Sequence, residues 1–276
     1  MKTLFLKTIL IFVGVLSVVF LFSQVGYSKQ KKRLKQSSVI IAGHNAAKSL
    51  GEIPMPYFKK IRKKYKILYG HTSHGSQITT GLKMVAARDN DLFAPPYIKE
   101  VGPDLGHLGN TDWVTQTKRV LSTHPDYNVV MWSWCGGCSD NTHEGINTYL
   151  KSMEKLEREF PNIIFIYMTG HLDGSGPAGT RKNGLPNLRK NNAQIRAFCK
   201  RKKKVLFDFE DIESYDPNGK YYPNETDQCG WCETWCVQNA CPKCTICAHS
   251  HCFNCFQKGK AFWWMMARIA GWNEKQ

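Results

Sequence analysis

Asn128-Val-Val-Met-Trp-Ser-Trp134, a helical stretch from Glu144 to Phe160, and Ile163-Ile-Phe-Ile-Tyr-Met168 together decide the fold. In the middle stretch Ile146, Tyr149, Leu150, Met153, Leu156 and Phe160 recur at helical spacing. The flanking runs are continuously apolar, as parallel strands buried on both faces are. The unit is strand, helix, strand, and the pattern repeats on either side. Upstream, Lys66-Ile-Leu-Tyr69 precedes a helix over 76–88 with Ile78, Leu82 and Val85 on one face. A Gly-rich loop over 104–110 leads to a helix over 111–122. Downstream, a helix over 188–202 leads to Val205-Leu-Phe-Asp-Phe209, and a Trp- and Met-rich helix over 258–272 ends the chain, its apolar cluster read as core. Four such alternations predict an α/β fold with a doubly wound, mostly parallel sheet. Ligands then bind beyond the carboxyl ends of the strands.

The chain has 276 residues, 42% hydrophobic, 12% aromatic and 22% charged, with 22 Gly and 12 Pro. That composition excludes disorder and collagen-like repeats. Its net charge of +16 comes from 38 Lys and Arg against 22 Asp and Glu. Three acid-free runs, 29–35, 59–66 and 200–204, account for the whole excess. Two of them abut predicted strand starts, the edge opposite the expected site. The charge therefore suits contact with an anionic envelope polymer or membrane surface, and argues against nucleic acid as a partner.

Residues 1–28 read as a signal peptide: Lys2 and Lys7, an apolar run over 8–22, then small residues at 26–28. Residues 29–60 read as a basic, Pro-containing tether, and 61–276 as the α/β domain. The expected location is secreted, periplasmic or in the cell envelope, with an uncleaved N-terminal anchor as the alternative because positive charge follows the apolar run. Eight of the 11 Cys crowd between Cys229 and Cys255, inside a loop insertion over 227–256. In an oxidising compartment they predict disulfides. The rival reading is a structural zinc, since Cys229-x2-Cys232 and Cys252-x2-Cys255 have zinc-ribbon spacing, with His249 and His251 as further ligands.

The first strand runs into Gly70-His-Thr-Ser-His-Gly-Ser-Gln77 and a helix. A serine on such a turn, beside a histidine base and near helical N–H groups, is a nucleophile candidate. Ser73 fits the role, and Ser76 reads better as a helix cap.

These residues resemble the SGNH/GDSL hydrolases. The likeness is carried by Gly70-His-Thr-Ser73, a Gly-rich second loop, Gly136-Gly-Cys-Ser-Asp-Asn141, and a late histidine before the last helix. More closely, the mature chain resembles a group of bacterial secreted proteins with a variant of that arrangement. Asp104-Leu-Gly-His107, Trp132-Ser-Trp-Cys-Gly-Gly137, Tyr167-Met-Thr-Gly-His-Leu-Asp-Gly174, the stretch 208–217 and Ala248-His-Ser250 carry that second likeness. The resemblance implies an exported serine hydrolase acting on an ester, an acyl-carbohydrate or lipid ester, with no cofactor or catalytic metal. It implies Ser73 as nucleophile and His249 as base. The Ser73 and Gly106 N–H groups and the Asn141 side chain would form the oxyanion hole, with His71, His74, His171 and Asp173 lining the cleft. The family pattern is departed from twice: Ser73 follows His-Thr where the family has Gly-Asp, and Ile246 stands where the acid would precede His249. Asp211 is the expected acid, ahead of Asp208, Asp140 and Asp173.

Three other readings remain. Trp134-Cys-Gly-Gly-Cys138 has the spacing of a thiol–disulfide oxidoreductase, with Cys135 and Cys138 as the redox pair. Against this, the stretch 139–142 is expected to delay the following helix, and Pro186 does not lead into a strand. His71, His74, His107, His171, Asp173, His249 and His251 offer ligands for a metal-dependent hydrolase. The fourth reading is a non-catalytic envelope-binding protein.

Overall fold

The computed structural model describes residues 38–174 and 187–273. The predicted signal, the basic run 29–35 and Pro186 lie outside the described residues. Strands β1 (Ile40–Ala42), β2 (Lys66–Gly70), β3 (Tyr97–Val101), β4 (Val129–Trp132), β5 (Ile164–Met168) and β6 (Val205–Phe207) form one sheet in the order β1-β6-β5-β4-β2-β3. Every pairing is parallel. The predicted α/β class and parallel sheet are what the chain adopts.

The helices are α1 (Met55–Lys64), α2 (Ser76–Ala86), α3 (Asn90–Phe93), α4 (Asp112–Thr123), α5 (Gly137–Asp140), α6 (His143–Glu159), α7 (Leu188–Lys202), α8 (Phe209–Ser214), α9 (Gly230–Gln238) and α10 (Cys252–Ile269). α1, α2 and α10 pack together as one group flanking the sheet. α4, α6 and α7 form the other, joined through α6: Trp113 of α4 lies against Tyr149 of α6, and α6 packs on α7. Val129, Val130 and Met131 of β4 are fully buried between them, each worth about 1.5–3 kcal/mol of burial. α6 starts where predicted because the Thr142 hydroxyl accepts from the Gly145 N–H at 3.1 Å.

Three expectations need correction. Residues 40–60 are not a tether, since they supply β1, a 3-10 turn over 49–52 and the first turns of α1. The short apolar run Ile40–Ala42 was obscured by the basic stretch before it. The last helix begins at Cys252 rather than Lys258, because His251 Nδ1 accepts from the Phe253 N–H at 3.1 Å and caps it there. No strand was expected over 97–101, where the edge strand β3 runs; its residues are exposed or half-exposed and include Lys99 and Glu100, which leaves no apolar run to find.

The eight clustered cysteines form four disulfides: Cys229–Cys232, Cys236–Cys241, Cys244–Cys252 and Cys247–Cys255. They are the mark of an oxidising compartment and leave no thiolate in the insertion for a zinc ion. Among the described residues no helix is long and apolar enough to cross a membrane.

Candidate active site

Four segments meet beyond the carboxyl ends of β2, β4 and β5. The first is the turn over 70–75. A Cβ at Gly70 would lie 1.9 Å from the Trp132 ring, and one at Gly75 would lie 2.3 Å from both His71 Cβ and Ser133 Oγ. Only glycine lets the turn press this closely on β4. The Tyr69 hydroxyl donates to the Gly75 carbonyl at 2.9 Å and closes it. The second segment, after β4, carries Cys135. Gly136 follows in the left-handed region (φ 77°) and turns the chain straight into α5. This four-residue helix comes first, and the long helix α6 starts only at His143, delayed as expected. The third segment, after β5, carries His171 and Asp173. The fourth is the disulfide-stapled insertion, which brings in Asp227 and His249.

Cys135 sits at the centre, half-buried. His74 Nδ1 lies 3.3 Å from its sulfur and the Ser73 hydroxyl 3.5 Å from it. On its far side His74 Nε2 lies 3.2 Å from Asp227 Oδ2. Bonds from the His171 and His74 rings, aided by the Ser73 and Thr72 hydroxyls, outweigh burial and pull the Cys135 thiol down to about 4. Burial opposes a charge on His74, yet Asp227 and Cys135 overcome it and raise the imidazole to about 9. Near neutral pH the pair is thiolate and imidazolium. The Gly136 N–H donates to His171 Nε2 at 3.2 Å, and Nδ1 of that ring faces the Leu172 carbonyl at 2.5 Å. His74 faces the sulfur with Nδ1 and Asp227 with Nε2, so it is the ring in line between thiol and carboxylate.

The three imidazoles form a column. His74 stacks on His171 at 3.5 Å with a 4° tilt, and on His249 at 4.3 Å with an 11° tilt. Ligating atoms of His74, Cys135 and His171 lie within 4.8 Å of one another, as do those of His74, Asp227 and His249. Stacked rings, however, keep their in-plane lone pairs parallel. An ion shared by His74 and His171 would sit roughly 1.8 Å out of each ring plane, against a metal–nitrogen bond of about 2.0–2.1 Å. As arranged, the stacked pair His74 and His171 fits a shared ion poorly.

A buried polar network holds the column. Lys258 Nζ, fully buried, donates to Glu213 Oε1 at 2.9 Å and to Gln77 Oε1 at 2.5 Å. Glu213 Oε2 accepts from the Leu172 N–H at 2.6 Å, beside His171, and Gln77 donates to the Ala248 carbonyl at 2.5 Å, beside His249. From α7, Asn191 donates to the Cys138 and Asn141 carbonyls, both at 2.7 Å, while Asn192 Oδ1 accepts from the Gly170 N–H at 2.7 Å. Helices α2, α7, α8 and α10 thus fix all three loops.

The predicted residues divide. Ser73, His74, His171 and His249 come together. Among the described residues, Ser73 Oγ bonds Cys135 and not the His249 ring. Ser76 donates to the Ser73 carbonyl at 2.6 Å, inside the turn. Asp211 belongs elsewhere: its Oδ2 takes both the His44 N–H (2.8 Å) and His44 Nδ1 (2.7 Å). Burial raises that carboxyl, but His44 outweighs it and holds it low. Asn141 is no oxyanion donor, because its Nδ2 is committed to the Gly106 and Gly137 carbonyls at 3.2 and 2.5 Å. Gly106 follows Leu105, which bridges to Trp134, so the residue lies next to the segment that carries Cys135. His71 pairs with Glu100 at 2.8 Å, and His107 pairs with Asp140 at 2.5 Å. Asp173 accepts from Ser139 and lies 3.6 Å from His171 Nδ1, supporting that ring from behind. His251 caps α10. Cys138 donates to Asn192 Oδ1 at 3.3 Å, and burial pushes its thiol far up, so it is not poised as the second half of a redox pair.

Sequence reasoning missed Asp227 altogether and treated Cys135 only as a redox thiol. Asp227 lies two residues before the first stapled cysteine, and its place under His74 depends on how the insertion folds back. Cys135 had a readable signal: it follows a buried strand and precedes a glycine pair, the position of a strand-end nucleophile.

Neither a family model nor a curated protein sequence matches the chain. Among solved structures it is similar to a candidate acylhydrolase from Bacteroides fragilis, at 14% identity over 64% of this chain and 81% of that one, with a TM-score of 0.36. It is also similar to an acetyl xylan esterase (14% identity, 52% and 77% covered, TM-score 0.35). A gut microbial diltiazem-metabolizing enzyme is similar at 11% identity, with 53% and 37% covered and a TM-score of 0.35. Likeness this distant says nothing about the chemistry, which is read from the chain's own side chains.

Proposed function

We propose that this chain is an exported hydrolase that cleaves an acyl ester through a cysteine nucleophile, with Cys135, His74 and Asp227 as its triad. The observation that carries the reading is the relay Cys135 Sγ to His74 Nδ1 (3.3 Å) and His74 Nε2 to Asp227 (3.2 Å). The thiolate attacks the acyl carbonyl carbon. His74 gives its Nδ1 proton to the departing alcohol oxygen as the C–O bond breaks, leaving a thioester on Cys135. Neutral His74 then takes a proton from water, whose oxygen attacks the thioester. The product leaves as the carboxylic acid, which gives its proton to solvent, and thiolate and imidazolium are restored. Asp227 holds the ring and stabilises its charge throughout. The Ser73 and Gly106 N–H groups are the candidates for stabilising the oxyanion. Acylated carbohydrates and lipids of the cell envelope are the substrate class an exported enzyme of this kind meets.

The test is turnover of a short-chain aryl ester and an acetylated sugar by the purified protein. Cys135→Ala abolishes turnover, Ser73→Ala keeps part of it, and an acyl group is trapped on the Cys135 peptide by mass spectrometry after acid quench. Activity persists after dialysis against a chelator. Full activity in Cys135→Ala with loss in Ser73→Ala would return the nucleophile to Ser73 and overturn the reading.

A further inference from the structure

Away from the cleft, a cavity of about 370 Å³ opens between residues 47–51, the end of α2 and α10. Lys48, Arg88 and Lys260 line it, with Leu50 and Phe93 as apolar wall. None of its lining residues is acidic, and none of the three cations has a carboxylate partner among the described residues. Three lysines of the basic runs do have such partners: Lys66 meets Asp126 at 2.7 Å, Lys202 meets Glu154 at 3.5 Å, and Lys204 bonds Glu157. In the cavity, Arg88 Cζ and Lys260 Nζ lie 5.7 and 5.1 Å from the centre of one ring, that of buried Phe256. Two like charges are thus held near each other with no counter-ion. Burial, and then Arg88, push the Lys260 ammonium down to about 8. Repulsion of this kind weakens the free fold and is relieved when an anion enters.

We propose that this cavity binds an oxyanion of the phosphate class, a free phosphate or a phosphoester group, held between Arg88 and Lys260. The guanidinium offers a planar fork to two phosphate oxygens, and Lys260 supplies a point charge to a remaining one. The proposal is independent of the chemistry at Cys135, and its readout is binding.

The test is calorimetric titration of the folded protein with sodium phosphate at constant ionic strength, with sodium chloride as the blank. The expected result is saturable binding of one phosphate, weakened at least tenfold (roughly 1.4 kcal/mol) in Lys260→Met and in Arg88→Gln. Arg88 is exposed, so its variant keeps the test sound if Lys260→Met folds poorly by circular dichroism. The Lys260 amine, followed by NMR, should titrate at higher pH with phosphate present. Phosphatidylglycerol vesicles separate the sources: binding that phosphate competes away identifies a phosphoester headgroup, and phosphate binding alone identifies the free anion. No saturable phosphate binding, or binding undiminished in both variants, overturns the proposal whatever the vesicles show.

Discussion

His74 Nδ1 lies 3.3 Å from Cys135 Sγ, and the two residues come from the ends of different strands, β2 and β4. These strands are hydrogen-bonded neighbours, pairing Gly70 with Trp132, so their carboxyl-end loops open side by side. The contact follows from the parallel register: a turn tight enough to need Gly70 and Gly75 swings His74 across β4. The third member, Asp227, is delivered by the insertion, on the far side of the ring. Each partner leaves its mark on the protons, with the thiol low and the imidazole high.

The pH dependence of kcat/KM follows from those two shifts. The active form has Cys135 ionised and His74 protonated. With the thiol drawn to about 4, activity is lost as pH falls through that region and the thiolate is protonated. With His74 raised to about 9, activity is lost again as pH rises through that region and the general acid is gone. The expected profile is a broad bell whose two limbs belong to the coupled pair. A single acidic limb near the ordinary imidazole value would instead describe a neutral histidine base acting on a hydroxyl.

Replacing Asp227 with Asn removes the charge that favours imidazolium. His74 then loses its proton at lower pH, so the alkaline limb should move toward acid. The turnover number should fall by about 10²–10⁴, the scale seen when a triad loses its carboxylate. The thiol should ionise less readily because its cationic neighbour is weakened; alkylation of Cys135 by iodoacetamide across pH measures this directly. An alkaline limb unmoved in Asp227→Asn would remove Asp227 from the relay.

Lys258 makes a different kind of prediction, one of stability. Its ammonium is fully buried against Glu213, and burial draws its proton affinity down despite that carboxylate. Lys258→Met leaves Glu213 charged and unpaired in the interior, which costs about 3–5 kcal/mol. The double variant Lys258→Met with Glu213→Gln should recover much of that loss, since the amide can still accept from the Leu172 N–H. Urea unfolding of the three proteins decides it. A double variant no more stable than the single one would mean that the network acts through packing.

The sheet was legible and the site only in part, for one physical reason. Strands such as Val129–Trp132 and Ile164–Met168 declare themselves because burial on both faces demands unbroken apolar runs. The candidate site lies on the loops beyond the strands, where the predicted Ser73, His74 and His171 meet. Which group lies in hydrogen-bond reach of which is fixed by turn geometry, and composition does not encode it. Asp211 looked apt as the acid because it follows β6, yet β1 lies on the far side of β6 and claims it through His44. β1 itself was hidden, three residues long beside a basic run. Asp227 depends on a segment whose path is set by disulfides and has no periodicity to read.

The last prediction concerns how closely the site's two supporting helices approach. A Cβ on Gly81 of α2 would stand 1.9 Å from the Cys255 carbonyl oxygen and 2.7 Å from the Gly259 nitrogen of α10. One on Gly259 would stand 2.3 Å from the Gly81 carbonyl carbon. Both obstacles are backbone, so a methyl group there cannot be met by a side-chain rotation. Gly81→Ala should therefore push α2 and α10 apart at a cost of about 1–3 kcal/mol or more, although alanine favours an isolated helix over glycine by roughly 1 kcal/mol. At about 2–4 °C per kcal/mol for a domain of this size, the melting temperature should drop by several degrees. The same separation loosens the Gln77 and Lys258 contacts that bridge the two helices, so kcat should fall along with stability. By contrast, Gly51→Ala, where a Cβ meets nothing within 4 Å, should leave both unchanged. Equal melting temperatures for Gly81→Ala and Gly51→Ala would mean that the close approach of α2 and α10 does not hold in solution.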